Sequence, residues 1–101
     1  MVLQPWTRTY QQRQTNAAQA IKAVRSGSRV FLSGNCSVPR TLLAALVEHA
    51  RTLNDVEIVQ VLTIGDSAYA APDMEGHIRV NTMFISEDVR PAVAAGRADF
   101  T

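Results

Sequence analysis

The stretch "RVFLSGNCSVPRTLL", residues 29–43, decides the fold. An apolar run from Val30 to Leu32 breaks at a small polar turn, Ser33 to Ser37, and passes at once into a helical pattern with Pro39 near its start. Ser37 is placed to cap that helix, and Pro39 then falls in the first turn, where a missing N–H costs nothing. Leu42, Leu46, Ala50 and Leu53 form one stripe along it, flanked by Leu43 and Val47. The unit is strand, tight turn, helix.

The pattern repeats on either side. Upstream, Thr15 is predicted to cap a helix through "NAAQAIKAVR", with Ala17, Ile21 and Val24 facing inward and Gly27 just past its end. Downstream, Asn54 and Asp55 turn the chain into a β-branched run, Val56 to Leu62, apolar enough for a covered strand. A loop rich in turn residues, "TIGDSAYAAPDMEGH", leads to a third strand at about Ile78 to Ile85. Asp88 then caps a short helix with Pro91 in its first turn, and Gly96 closes it. Alternating helices and strands imply an α/β fold, an open, mostly parallel sheet with flanking helices, built as one domain over residues 1–101. Ligands in such sheets sit outside the carboxyl ends of the strands, so residues 33–38, 63–77 and 85–88 are expected to share one rim.

Composition excludes several classes. Ten Lys and Arg against nine Asp and Glu leave a formal charge of +1, and the basic residues form no stripe or run, so no nucleic-acid partner is expected. No apolar stretch approaches the roughly 20 residues that cross a bilayer, so no membrane role is expected. One cysteine forms no internal disulfide, and "MVLQPWTRTYQQRQ" lacks the apolar core of a secretory signal, which points to the cytoplasm.

The turn at Gly34 to Ser37 admits three readings. Its backbone N–H groups, at a helix start, could hold an anion or a developing oxyanion, although neither GxGxxG nor GxxxxGK[ST] is present. Cys36 stands where a nucleophile elbow places its reactive atom, but a thiol catalyst needs a positioned base. The candidates are poor: His49 lies far along the helix, and His77 is read as a loop residue near the rim. A plain connection, with Gly34 and Asn35 permitting a tight turn, explains the same residues. Among the acidic residues no acid–base pair stands out. Asp66, directly after Gly65 at the end of a central strand, is the one best placed to touch a substrate. No metal-ligand spacing is present.

Several segments together resemble a known family. "GSRVFLSGNCSVPRTLLAALVEHA", the "LTIG" strand end followed by Tyr69 and Pro72, the pattern of His77, Arg79, Asn81 and Phe84, and the ending "GRADFT" look like the amino-terminal part of the acetyl-CoA hydrolase/transferase family, which includes acetate and 4-hydroxybutyrate CoA-transferases. The resemblance runs from about Trp6 to Thr101. It implies a glutamate carboxylate that attacks an acyl-CoA and passes CoA to a carboxylic acid, with coenzyme A as substrate and no further cofactor. In that family the glutamate and the glycine-rich CoA motifs lie in the second half of a longer chain, so no catalytic residue is expected within residues 1–101. By the same resemblance Gly34, Asn35, Cys36, Ser37 and Pro39 line the acyl site, with Cys36 a small lining residue, and the strand–turn–helix pattern adds Thr63 and Gly65, since the turn is expected to face a cleft shared with Thr63 to Asp66. The partners implied are an acyl-CoA and a small carboxylic acid. The chain ends as a further strand begins at Phe100, which is expected to leave an open sheet edge and to favour a homo-oligomer. The other class consistent with these residues is a non-catalytic α/β module that binds a small anion or a protein.

Overall fold

The computed structural model describes residues 4–65 and 67–101. Four strands, β1 (Arg29–Leu32), β2 (Val56–Gln60), β3 (Ile78–Thr82) and β4 (Ala98–Phe100), form one sheet in the order β1-β2-β3-β4. Every neighbouring pair is parallel: Val30 stands beside Ile58, Ile58 beside Val80, and Val80 beside Ala98. The helices are α1 (Pro5–Arg13), α2 (Ala17–Ala20), α3 (Arg40–Ala50) and α4 (Arg90–Ala94).

The strand order never reverses, so right-handed crossovers carry every connection to the same face. The burial pattern follows. Val56, Ile58 and Gln60 of β2 and Ile78, Val80 and Thr82 of β3 are buried, while the residues between them are half-buried or exposed. Only one face therefore carries the core. The strand expected at Val56 to Leu62 is covered on one face, since its alternation is that of a one-sided sheet. On the other face the Arg29 guanidinium donates to Glu57 at 2.6 Å, and Arg79 donates to both oxygens of Asp99 at 2.7 and 2.8 Å. That hydrogen bonding holds the Asp99 carboxyl below the usual carboxylate range. Phe31 stands 65% exposed on the same face.

The core is packed by α3. Leu43, Leu46, Val47 and Ala50 are its buried positions, at spacing i, i+3, i+4, i+7, and they join Leu32, Ile58, Val80, Tyr69 and Met74 in one cluster. Of the expected stripe, Leu46 and Ala50 are buried and Leu53 packs against the core, while Leu42 is 41% exposed and Leu43 takes its place. The start of the helix differs too. Asn35–Ser37 make a separate 3-10 turn, Val38 is extended (φ −63°, ψ 122°), and α3 begins only at Arg40, with Pro39 as its N-cap. A proline disfavours helical backbone in the residue before it, so the 3-10 turn cannot run on into α3 through Val38. Ser37 therefore does not cap α3.

Other boundaries also moved. Asn16 rather than Thr15 caps α2, its side-chain oxygen accepting from the Gln19 amide at 2.9 Å, and the helix gives way to a 3-10 turn at Ile21–Ala23. β2 and β3 end at Gln60 and Thr82, short of Leu62 and Ile85. Val89, not Asp88, is the N-cap of α4, with Pro91 in the first turn as expected. The helix α1 has no counterpart in the sequence reading. Pro5 sits at its start, and it buries no residue, leaving Trp6 and Tyr10 69% and 59% exposed. The radius of gyration, 15.8 Å, exceeds the roughly 13 Å of a compact domain of this length, in keeping with a helix that joins no core. Both outer strands, β1 and β4, present an unpaired edge among the described residues.

Candidate functional site

The carboxyl ends of the strands meet at one rim, and backbone hydrogen bonds join its segments. The Asn35 amide donates to Leu62 O at 2.9 Å, which ties the turn after β1 to the segment after β2. The Phe84 amide donates to Val61 O at 3.1 Å, and the Gly65 amide donates to the Asp88 carboxylate at 3.2 Å, which tie the segments after β2 and β3.

Gly34 makes the first junction possible. A Cβ at this position would lie 2.3 Å from Leu62 O, closer than any side chain stands to a backbone oxygen. Its backbone is ordinary and extended (φ −112°), so glycine is required here for approach and not for conformation. Asn35 follows in the left-handed region (φ 54°), where asparagine is the best tolerated non-glycine residue. The turn then closes on itself: Ser37 N–H donates to Gly34 O at 3.0 Å, and the Ser33 hydroxyl donates to Ser37 O at 2.7 Å.

These bonds limit what the turn can offer an anion. Asn35 and Ser37 have their N–H groups engaged within the fold, as has Gly65. Among the described residues, Gly34 and Cys36 carry the turn's uncommitted amides. The Cys36 side chain is exposed, and neither histidine serves it. His49 Nε2 donates to Val24 O at 3.0 Å, and His77 Nδ1 donates to Leu53 O at 2.7 Å. His77 immediately precedes β3, so it lies at the amino end of the sheet. The expectation that it stands near the rim is corrected. Asp66 lies outside the described residues.

Thr63 is 1% exposed, and its hydroxyl has no hydrogen-bond partner; the Ser86 hydroxyl is buried and unpartnered as well. Beneath the rim runs a polar chain that the sequence reading missed. Tyr69 donates from its hydroxyl to Gln60 Oε1 at 2.9 Å, Gln60 donates from Nε2 to Thr82 Oγ1 at 3.4 Å, and Thr82 donates to Phe84 O. Gln60 and Thr82 are fully buried at the last positions of β2 and β3, so the chain fixes both strand ends from inside the core. The signal in the sequence was parity: Gln60 occupies the inward position after Val56 and Ile58.

A cleft of about 610 Å³ opens between α3 and the segment after β2, with Val38, Leu43, Val47, Ile64 and Ala68 among its lining. Of the expected site residues only Gly65 lines it, and the turn from Gly34 to Ser37 does not. The structure thus brings Gly34 and Asn35 against Leu62, next to Thr63, with Cys36 and Ser37 exposed on the turn above and Pro39 at the start of α3.

Comparison with known proteins gives this geometry a context. Residues 3–101 match the acetyl-CoA hydrolase/transferase N-terminal domain. The chain is 31% identical over 96 residues to the 4-hydroxybutyrate coenzyme A transferase of Clostridium kluyveri, covering 95% of this chain and 22% of that protein. It is 30% identical over 89 residues to the succinyl-CoA:acetate/propanoyl-CoA:succinate CoA transferase of Fasciola hepatica, covering 86% of this chain and 18% of that protein. The crystal structure of RipA from Yersinia pestis superposes with a TM-score of 0.84 at 17% identity, over 97% of this chain and 25% of that one, and shows the same fold. The chain spans about a fifth of the length of the curated relatives it matches. With the family match spanning nearly every residue, the chain belongs to the acetyl-CoA hydrolase/transferase family and corresponds to its amino-terminal domain.

Proposed function

We propose that this chain supplies one wall of the acyl site in a CoA-transferase that moves CoA between an acyl-CoA and a small carboxylic acid. The observation that carries the reading is the side-chain-free contact of Gly34 with Leu62 O, which sets the turn after β1 against the end of β2 in a chain of this family. Gly34, Asn35, Cys36, Ser37, Pro39, Thr63 and Gly65 form the wall, and coenzyme A enters as substrate with no further cofactor.

In this reading the attacking glutamate lies outside residues 1–101, in the second half of a longer chain. Its carboxylate adds to the thioester carbonyl and expels the CoA thiolate, leaving an acyl-glutamyl anhydride. The thiolate then attacks the glutamyl carbonyl, releasing the first acid and forming a glutamyl-CoA thioester, and an acceptor carboxylate completes the exchange by the reverse steps. The wall's contribution is to exclude water and to present the uncommitted amides of the turn to the oxygen on which charge develops. The protein is proposed to work in the cytoplasm as a homo-oligomer. No helix among the described residues is long and apolar enough to cross a membrane.

Cys36 tests the division of labour. In the full-length protein Cys36→Ala is expected to keep turnover within about tenfold of wild type, because a lining residue contributes packing and not a bond. A fall in kcat of roughly a thousandfold or more with the structure preserved would assign the chemistry to the thiol.

A further inference from the structure

Asp88 has an occupation that its place in the sequence does not suggest. It stands two residues before α4, where a carboxylate ordinarily caps, yet its Oδ2 accepts from the Gly65 amide across the rim at 3.2 Å. The amides of Val89 and Arg90 turn instead to Ser86 O, at 3.2 and 3.0 Å.

The segments 61–65 and 84–88 run side by side beyond the ends of β2 and β3. Phe84 N–H to Val61 O joins them at the near end and Gly65 N–H to Asp88 at the far end. Among the described residues no other hydrogen bond links the two segments. The middle residues, Thr63 and Ser86, bury hydroxyls that make none. Gly65 itself lies at φ 115°, a conformation open to glycine and to few other residues, and nothing lies within 4 Å of where a Cβ would stand.

We propose that Asp88 is the positioning residue of the rim: its carboxylate latches the Gly65 amide and so fixes the segment that carries Thr63 and Gly65 against the substrate. This rests on the reading of the rim as an acyl site. The latch acts on the placement of the wall and not on the reacting atoms, so its loss weakens ground-state capture of the acyl-CoA. An asparagine retains an acceptor oxygen at the same reach and keeps the latch, whereas alanine removes it.

The test uses the full-length protein with acetyl-CoA and isotopically labelled acetate, together with hydrogen exchange read on peptides covering residues 61–67. Asp88→Ala is expected to raise KM for acetyl-CoA about tenfold, with kcat changed by less than about twofold and an unaltered melting temperature. Amide exchange in 61–67 rises in the same variant, and Asp88→Asn restores both readouts. Unchanged exchange in Asp88→Ala overturns the latch. Faster exchange with an unchanged KM overturns the positioning role while leaving the acyl-site reading in place. If the wild-type protein transfers no CoA, the acyl-site reading fails, and with it the role toward substrate, while the exchange arm still decides the latch.

Discussion

Gly34→Ala is expected to unseat the rim, lowering stability by about 1–3 kcal/mol and turnover of the full-length protein by about a hundredfold or more. The new Cβ would lie 2.3 Å from Leu62 O, and the obstructing atom is backbone, which cannot swing aside as a side chain can. Either the turn or the end of β2 must retreat by most of an ångström, and the Asn35 to Leu62 hydrogen bond stretches with it. Gly96→Ala is the informative control. Gly96 has a positive φ of 78° and nothing within 4 Å of its missing Cβ, so the control costs conformational energy of about 1 kcal/mol without touching the rim. Urea denaturation gives the stability change, and CoA exchange gives the activity. Wild-type stability and turnover in Gly34→Ala would remove the steric basis of the site.

Ile58→Ala is expected to cost about 3–4 kcal/mol, a large share of the 5–15 kcal/mol typical of a domain of this size. Ile58 is fully buried at the centre of β2, flanked in register by Val30 and Val80, with the Leu43–Leu46–Val47 stripe of α3 in the same cluster. Its neighbour Val59 points to the opposite face and is half-buried, so Val59→Ala in this chain is expected to cost less than half as much as Ile58→Ala. The denaturation midpoint of each variant measures the difference, provided the slope m is unchanged. Equal losses at the two positions would mean that both faces of the sheet carry a core.

The strand–turn–helix unit was legible because each of its parts carries a local signal. Val30 to Leu32 is apolar, Gly34 and Asn35 are turn residues, and the leucines of 42–53 recur at helical spacing. The parallel sheet and the shared rim followed from alternation alone. What could not be read depended on contacts between distant residues. That Gly34 abuts Leu62 is a fact about two strands in register, and no property of residues 33–38 encodes it. Asp88 has the sequence context of a helix cap and was lost to a competitor 23 residues away, the Gly65 amide. The one-sided sheet was in fact present in the parity of Val56, Ile58 and Gln60, but the half-buried Val59 masked the alternation and made β2 look apolar throughout. The helix α1 left almost no trace, since it has no apolar stripe beyond Trp6 and Tyr10 and buries nothing. The later start of α3 came from Pro39 acting on Val38, a local rule that was available but was applied to the wrong side of the proline.

The shifted groups Arg79 and Asp99 pair on the open face, and Arg51, which with Glu48 lines the cleft beside α3, pairs with Asp73 and Glu48. Arg51 is raised chiefly by its hydrogen bond to Asp73, and these exposed pairs contribute little to stability.

The central claim, that these residues form the wall and not the engine of a CoA-transferase, is tested most directly by CoA exchange between acetyl-CoA and labelled acetate, run in parallel with this chain alone and with the full-length protein. The account predicts turnover by the full-length protein and none above background by residues 1–101, because stabilising a developing oxyanion without an attacking group gains little. Turnover by residues 1–101 comparable to that of the full-length protein would contradict it, and would place the nucleophile within this chain.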